Sequence, residues 1–109
     1  MNDRFLVVKY IKNFVFSIEN LLINLPRKEL LVKNRIMNDL YDILEFIYIA
    51  NLSKDKNIKI SIISKLSMLD FYFERLYKLN IISEKVCMKK CRELDCISKM
   101  VYGWLKNES

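Results

Sequence analysis

The sequence predicts an all-α protein, an up-down-up-down antiparallel four-helix bundle. Along four separate stretches the apolar residues recur at spacings of three and four, the pattern that lines one side of a helix. The chain has one glycine, Gly103, and one proline, Pro26, where average usage over 109 residues would give roughly 7 and 5. Strands joined by tight turns need such residues, so their scarcity means few turns and long elements. Apolar residues make up 52% of the chain, too many for a segment that stays disordered. At this length a single core is ordinary and two would each be too small, so residues 1–109 form one domain.

The first helix is expected over residues 3–24, with Val7, Tyr10, Ile11, Phe14, Ile18, Leu21 and Leu25 along its buried side. It stops where Leu25 precedes Pro26, because proline disfavours helical geometry in the residue before it. Pro26 then suits the start of a second helix, over 28–51, whose stripe is Ile36, Met37, Leu40, Ile43, Leu44 and Ile47. Residues 53–57, Ser-Lys-Asp-Lys-Asn, have loop composition. A third helix over 58–79 has Ile62, Leu66, Leu69, Phe73 and Leu76 in a seven-residue seam. Asn80 suits a left-handed end cap, with Ile81 and Ile82 plugging the corner. Ser83 is a good N-cap for a fourth helix over 84–106, and Glu84 complements the positive end of its dipole. Leu94, Ile97, Val101 and Leu105 form its seam, and Lys106 sits near the carbonyl end. Four such helices with short connections bury their stripes together by alternating direction.

Some apolar residues fall off these stripes. Val8, Val15, Phe16, Ile49 and Phe71 are expected to be partly exposed on a monomer, which points to self-association or a protein partner. Tyr41, Tyr48, Tyr72, Tyr77 and Tyr102 lie on or beside the seams, where packing is their ordinary role and stacking or anchoring the alternative.

The N-terminal stretch is apolar, but Lys9, Lys12 and Glu19 interrupt it at helical intervals, and no run approaches the roughly 18 residues a membrane span requires. The reading is a cytoplasmic protein with no membrane partner. Three cysteines, Cys87, Cys91 and Cys96, fit a reducing compartment, and with no histidine anywhere they do not complete a zinc set. Packed thiols are their ordinary role on a helix.

Enzyme chemistry finds no footing. No nucleophile has a histidine base beside it, no glycine-rich loop exists to cradle phosphate, and no cofactor is expected. Helical ribonucleases of the HEPN class, which share this shape, depend on a histidine that is absent. Asp39, Asp42 and Glu45 share a helix surface, where paired acids are ordinarily solvated.

The informative feature is charge. The net charge is +6, which favours acidic partners. On the fourth helix Lys85, Lys89, Arg92, Lys99 and Lys106 fall at intervals of 4, 3, 7 and 7. At about 100° per residue they stay within a sector of roughly 100° opposite the seam. Such a stripe can track a phosphate backbone, with salt-dependent binding through counterion release. The alternative is a solvated face. Lys65, Arg75 and Lys78 of the third helix would broaden the same surface.

Three segments, LPRKE (25–29), KLSMLDFYFERLYKLNIIS (65–83) and SKMVYGWLK (98–106), resemble the small four-helix-bundle family of the accessory variability determinant of diversity-generating retroelements and the ribosomal-RNA intervening-sequence proteins. The last segment is similar to the family's closing arginine-methionine-leucine-glycine-glycine-tryptophan signature, with Lys99 where arginine is usual and Tyr102 in place of the first glycine. Read from the residues alone, Gly103 would let another helix approach closely and Trp104 would fill the end of the core. The resemblance implies a homopentamer whose basic surface engages nucleic acid, a template RNA, and a reverse transcriptase during mutagenic complementary-DNA synthesis. In that reading the chain is a non-catalytic accessory protein and Lys85, Lys89, Arg92, Lys99 and Lys106 hold the nucleic acid. The alternative is an intervening-sequence-type scaffold for protein interaction with no nucleic-acid role.

Overall fold

A computed structural model describes residues 3–27, 29–52 and 55–108. It contains four helices in chain order, α1 (Asp3–Ile23), α2 (Leu30–Leu52), α3 (Lys56–Lys78) and α4 (Glu84–Glu108). Each helix packs on its two neighbours around a square, α1 on α2 and α4, and α3 on α2 and α4, while the diagonal pairs keep their backbones apart. The pairings are antiparallel. Lys12 lies under Tyr48 and Glu19 under Tyr41, and Arg35 faces Tyr72 while Asp39 faces Lys65. In both pairs one number rises as the other falls. The molecule measures 41 × 23 × 19 Å, and the long dimension is close to the roughly 35 Å of a 23-residue helix.

The core is the meeting of the four stripes. Ile36, Leu40, Ile43 and Ile47 of α2 and Ile62, Leu66, Leu69, Phe73 and Leu76 of α3 are buried, as their spacing predicts. From α4 come Leu94, Ile97, Val101 and Trp104, the last closing one end of the core. Leu105 lies outside the described side chains. Phe14 of α1 and Phe73 of α3 reach across the diagonal and meet edge to face, with centroids 6.3 Å apart, the arrangement the ring quadrupoles favour.

α1 departs from expectation at three residues. Val15, placed off the stripe, is buried, as is Leu22, while Tyr10 is 48% exposed. The buried arc of α1 is centred on Ile18 and spans both the α2 and α4 sides, so Val15 turns toward α2 and Tyr10 falls at the α4 edge.

The ends follow local chemistry. α2 begins at Leu30 rather than at 28, a position outside the described residues. Glu29 has φ 57°, a left-handed conformation that a right-handed helix cannot include. Its carbonyl accepts from the Lys33 N–H at 3.1 Å, so the helix starts only after it. The buried Lys33 ammonium turns back to donate to the Pro26 carbonyl, tying the connection to α2. α3 starts at Lys56, ahead of the expected 58, because the Asp55 carboxylate accepts from the Asn57 N–H at 2.9 Å and caps the helix. Ser53 and Lys54 of the expected loop are outside the described residues. Asn80 has φ 60°. Its N–H donates to the Tyr77 carbonyl at 2.9 Å and that of Ile81 to Leu76 at 2.9 Å, the two-bond Schellman ending. Ser83 caps α4 by accepting from the Val86 N–H at 3.2 Å. α4 continues to Glu108, past the expected 106, and α1 and α2 end at Ile23 and Leu52, each one residue from expectation.

Polar side chains tether neighbouring helices. Lys65 bridges Asp39 and Asp42 at 3.3 Å each. Asp39 is buried, so the expectation of a solvated acidic stripe fails there, and Lys65 belongs to the α2–α3 seam rather than to a basic surface. Burial, the largest influence on Lys65, favours its neutral form, yet the two carboxylates outweigh it and its pKa rises above the ordinary lysine value. The Arg35 guanidinium donates to the Tyr72 hydroxyl from Nε and Nη2, at 3.3 and 3.2 Å. Tyr41 donates to Glu19 at 2.7 Å between α2 and α1, and Lys90 donates to Ser17 at 2.7 Å between α4 and α1.

Replacing Lys65 with methionine leaves the buried Asp39 carboxylate beside Asp42 without the cation that pairs with it directly. Lys65→Met is expected to destabilise the protein by about 1–3 kcal/mol in urea unfolding. Adding Asp39→Leu should recover most of that loss, since the orphaned charge is then gone.

Candidate functional site

α4 is the most strongly two-faced of the helices. Its inner arc is Cys87, Leu94, Ile97, Val101 and Trp104, and its outer arc carries Lys85, Lys89, Arg92, Lys99 and Lys106, all exposed. The helix brings these five cations onto one outward face, as the intervals predict. Cys96 and Gly103 lie between them on the same arc. No carboxylate among the described residues is within ion-pair distance of Lys85, Lys89 or Arg92. Lys99 differs, because Asp95, one turn back, pairs with it at 3.1 Å and raises its pKa through that hydrogen bond. Such an exposed pair contributes little to stability and is screened by salt, so Lys99 remains available to a more highly charged partner.

Gly103 makes no close approach within the chain. A Cβ built there would meet nothing within 4 Å, so the expectation that it admits a neighbouring helix does not hold inside the bundle. Of the α3 cations expected to widen the face, Arg75 and Lys78 are exposed and Lys65 is not available. The tyrosines also divide. Tyr72 is buried, Tyr77 half-buried, and Tyr41, Tyr48 and Tyr102 exposed.

Between α4 and α1 lies a groove of about 570 Å³ that spacing alone did not disclose. Phe14 and Ile97 form its floor and Tyr10 and Met100 its sides. Cys96 sits on its wall, so the groove opens onto the basic face. One signal was visible in the sequence: Tyr10, a polar-tipped aromatic residue at the margin of an apolar stripe, is the kind of side chain that sits half in water.

The three thiols occupy three environments. Cys87 is buried and donates to the Phe73 carbonyl at 3.6 Å, Cys91 is half-buried, and Cys96 is exposed. Burial, together with the neighbouring Cys87 and Asp70, pushes the Cys91 thiol up to about 12. Burial likewise raises Asp70 above the usual carboxylate range, and the hydrogen bond from Cys91 opposes that rise. The packed-thiol expectation holds for Cys87 and Cys91 and fails for Cys96. Among the described residues no group of three or more His, Cys, Asp or Glu is placed to hold a metal ion, and no helix is long and apolar enough to cross a membrane.

No protein-family model matches this chain, and neither the curated proteins nor the solved structures compared with it show a match.

The exposed Cys96 should react first with a disulfide reagent near neutral pH, the half-buried Cys91, whose thiolate the fold disfavours, well after it, and the buried Cys87 only on unfolding. The fold favours the neutral Cys91 thiol. Its contribution to stability is therefore complete below the ordinary thiol range and is lost as pH climbs toward 12. Mass-mapped alkylation at rising pH checks the order, with Cys91 labelling rising well after that of Cys96, and urea unfolding between the ordinary thiol range and pH 12 checks the loss of stability.

Proposed function

We propose that this chain is a non-catalytic accessory protein that holds RNA along α4 and presents it to a reverse transcriptase, in the manner of the accessory variability determinant of diversity-generating retroelements. The observation that supports this reading is the outward face of α4, where five cations align over about six turns and three of them have no carboxylate within ion-pair distance among the described residues. Phosphates laid along such a face displace condensed counterions, so binding is tight at low salt and weakens as salt rises. An RNA duplex hides its base edges in a deep, narrow major groove that side chains cannot read, so cations on this face contact phosphates, and the expected binding tolerates many sequences. The retroelement setting, the reverse transcriptase, the pentamer and the cytoplasmic location come from the resemblance and from thiol usage, and all belong to this proposal.

The exposed apolar side chains favour a second reading, a protein-interaction scaffold with a solubilising basic face. Phe16 and Phe71 are more than half exposed and Leu31 is 77% exposed, more apolar surface than solubility calls for. In the first reading this surface joins the copies of the chain in a ring, and in the second it receives a different protein.

The two readings separate on one pair of substitutions. Lys89→Glu with Arg92→Glu should leave the helical signal and thermal midpoint essentially unchanged, since both side chains are exposed. RNA affinity at low salt should fall, and the slope of log affinity against log salt should become shallower by about 2. Unchanged affinity would remove the stripe from the account and favour the scaffold. Light-scattering mass, alone and with RNA at low and moderate salt, tests the ring.

A further inference from the structure

The basic face of α4 and the groove beside it share a wall. Cys96 lines the groove and sits on α4 between Arg92, four residues before it, and Lys99, three after. Residues at those spacings are surface neighbours on a helix, so two cations stand one side chain from the groove's mouth. The groove is apolar where it is deep, over the buried Phe14 and Ile97, with half-exposed Tyr10 and Met100 on its sides. Hydrogen-bonding groups sit at its rim. Asn13 offers an amide with both donor and acceptor, and Ser17 accepts from Lys90 and keeps its own hydroxyl proton to donate. Glu93 is also at the rim, its charge countered by Lys90 at 3.4 Å, and it accepts from an amino group.

An aromatic side, an apolar floor and a mixed polar rim next to a row of cations complement a nucleotide, with the base inside and the phosphates outside. The volume falls within the roughly 300–1,000 Å³ of clefts that take small organic groups. A duplex lying on the same cations keeps its bases stacked within the helix and cannot fill the groove. Bases of a single strand can turn aside onto an aromatic platform.

Resting on the nucleic-acid reading above, we propose that the α1–α4 groove receives one unstacked base of a single strand whose phosphates lie along Lys89, Arg92 and Lys99, so that this face selects single strands over duplexes. The stripe supplies salt-dependent attraction common to both forms. The groove supplies the difference between them, with Tyr10 as the stacking surface and Glu93 as the acceptor for an exocyclic amino group.

The test uses the full chain and two probes, a short oligouridine with one central 2-aminopurine and a duplex RNA of equal length. The unsubstituted protein should bind the single strand about tenfold more tightly than the duplex, with the 2-aminopurine emission quenched. Tyr10→Ala, at a half-exposed position, should abolish the quenching and the preference while duplex affinity and thermal midpoint stay as they were. Tyr10→Phe, which keeps the ring, should retain both. Equal binding of the two probes without quenching, or a preference that survives Tyr10→Ala, would overturn the groove and leave the stripe standing. Binding of neither probe at low salt would overturn the nucleic-acid reading and the groove with it.

Discussion

Four apolar stripes that no single helix can hide are the constraint from which the rest of this structure follows. Each helix alone would leave its stripe in water, and the only partners in so short a chain are the other three stripes. Placing the helices at the corners of a square turns Ile36, Leu40, Ile43 and Ile47 toward Ile62, Leu69, Phe73 and Leu76. Phe14 and Phe73 fill the centre, which the helix backbones do not approach. The short connections are then consequences. The left-handed Glu29 and Asn80 let the chain reverse direction, and Asp55 and Ser83 satisfy the amide groups that the next helix would otherwise leave unpaired.

Apolar contact is not directional, so it specifies the square less sharply than the register within it. Polar contacts between neighbouring helices supply the register. Glu19 with Tyr41, Asp39 and Asp42 with Lys65, Asp70 with Cys91, and Ser17 with Lys90 occupy the four sides in turn. Sliding any helix by one turn would separate such a pair, and sliding α2 against α3 would leave Asp39 buried without Lys65. Desolvation of the charged groups among them offsets much of the attraction, so each is a modest source of stability and a more effective source of specificity.

Once the inner faces are committed, function is confined to what faces outward. α1 and α2 turn out apolar and mixed side chains, among them Phe16, Leu31 and Tyr41, while α4 turns out a row of cations. That division puts those exposed apolar side chains and the row of cations on different helices. The groove between α1 and α4 is where the two kinds of surface meet.

The sequence by itself determined the elements, the buried faces of α2, α3 and α4, the caps at Asn80 and Ser83, and the outward row from Lys85 to Lys106. All of these depend on spacing within one helix, and helical periodicity converts spacing directly into direction. Only the tertiary structure decided which helix sides face a neighbour. It buried Val15 and Leu22 and exposed Tyr10, enclosed Asp39 with Lys65, left Gly103 open, and formed the groove with Cys96 on its wall. Each of these depends on side chains from two helices coming within a few ångströms of each other, and the spacing of residues within one helix carries no record of which neighbour will lie beside it or at what height.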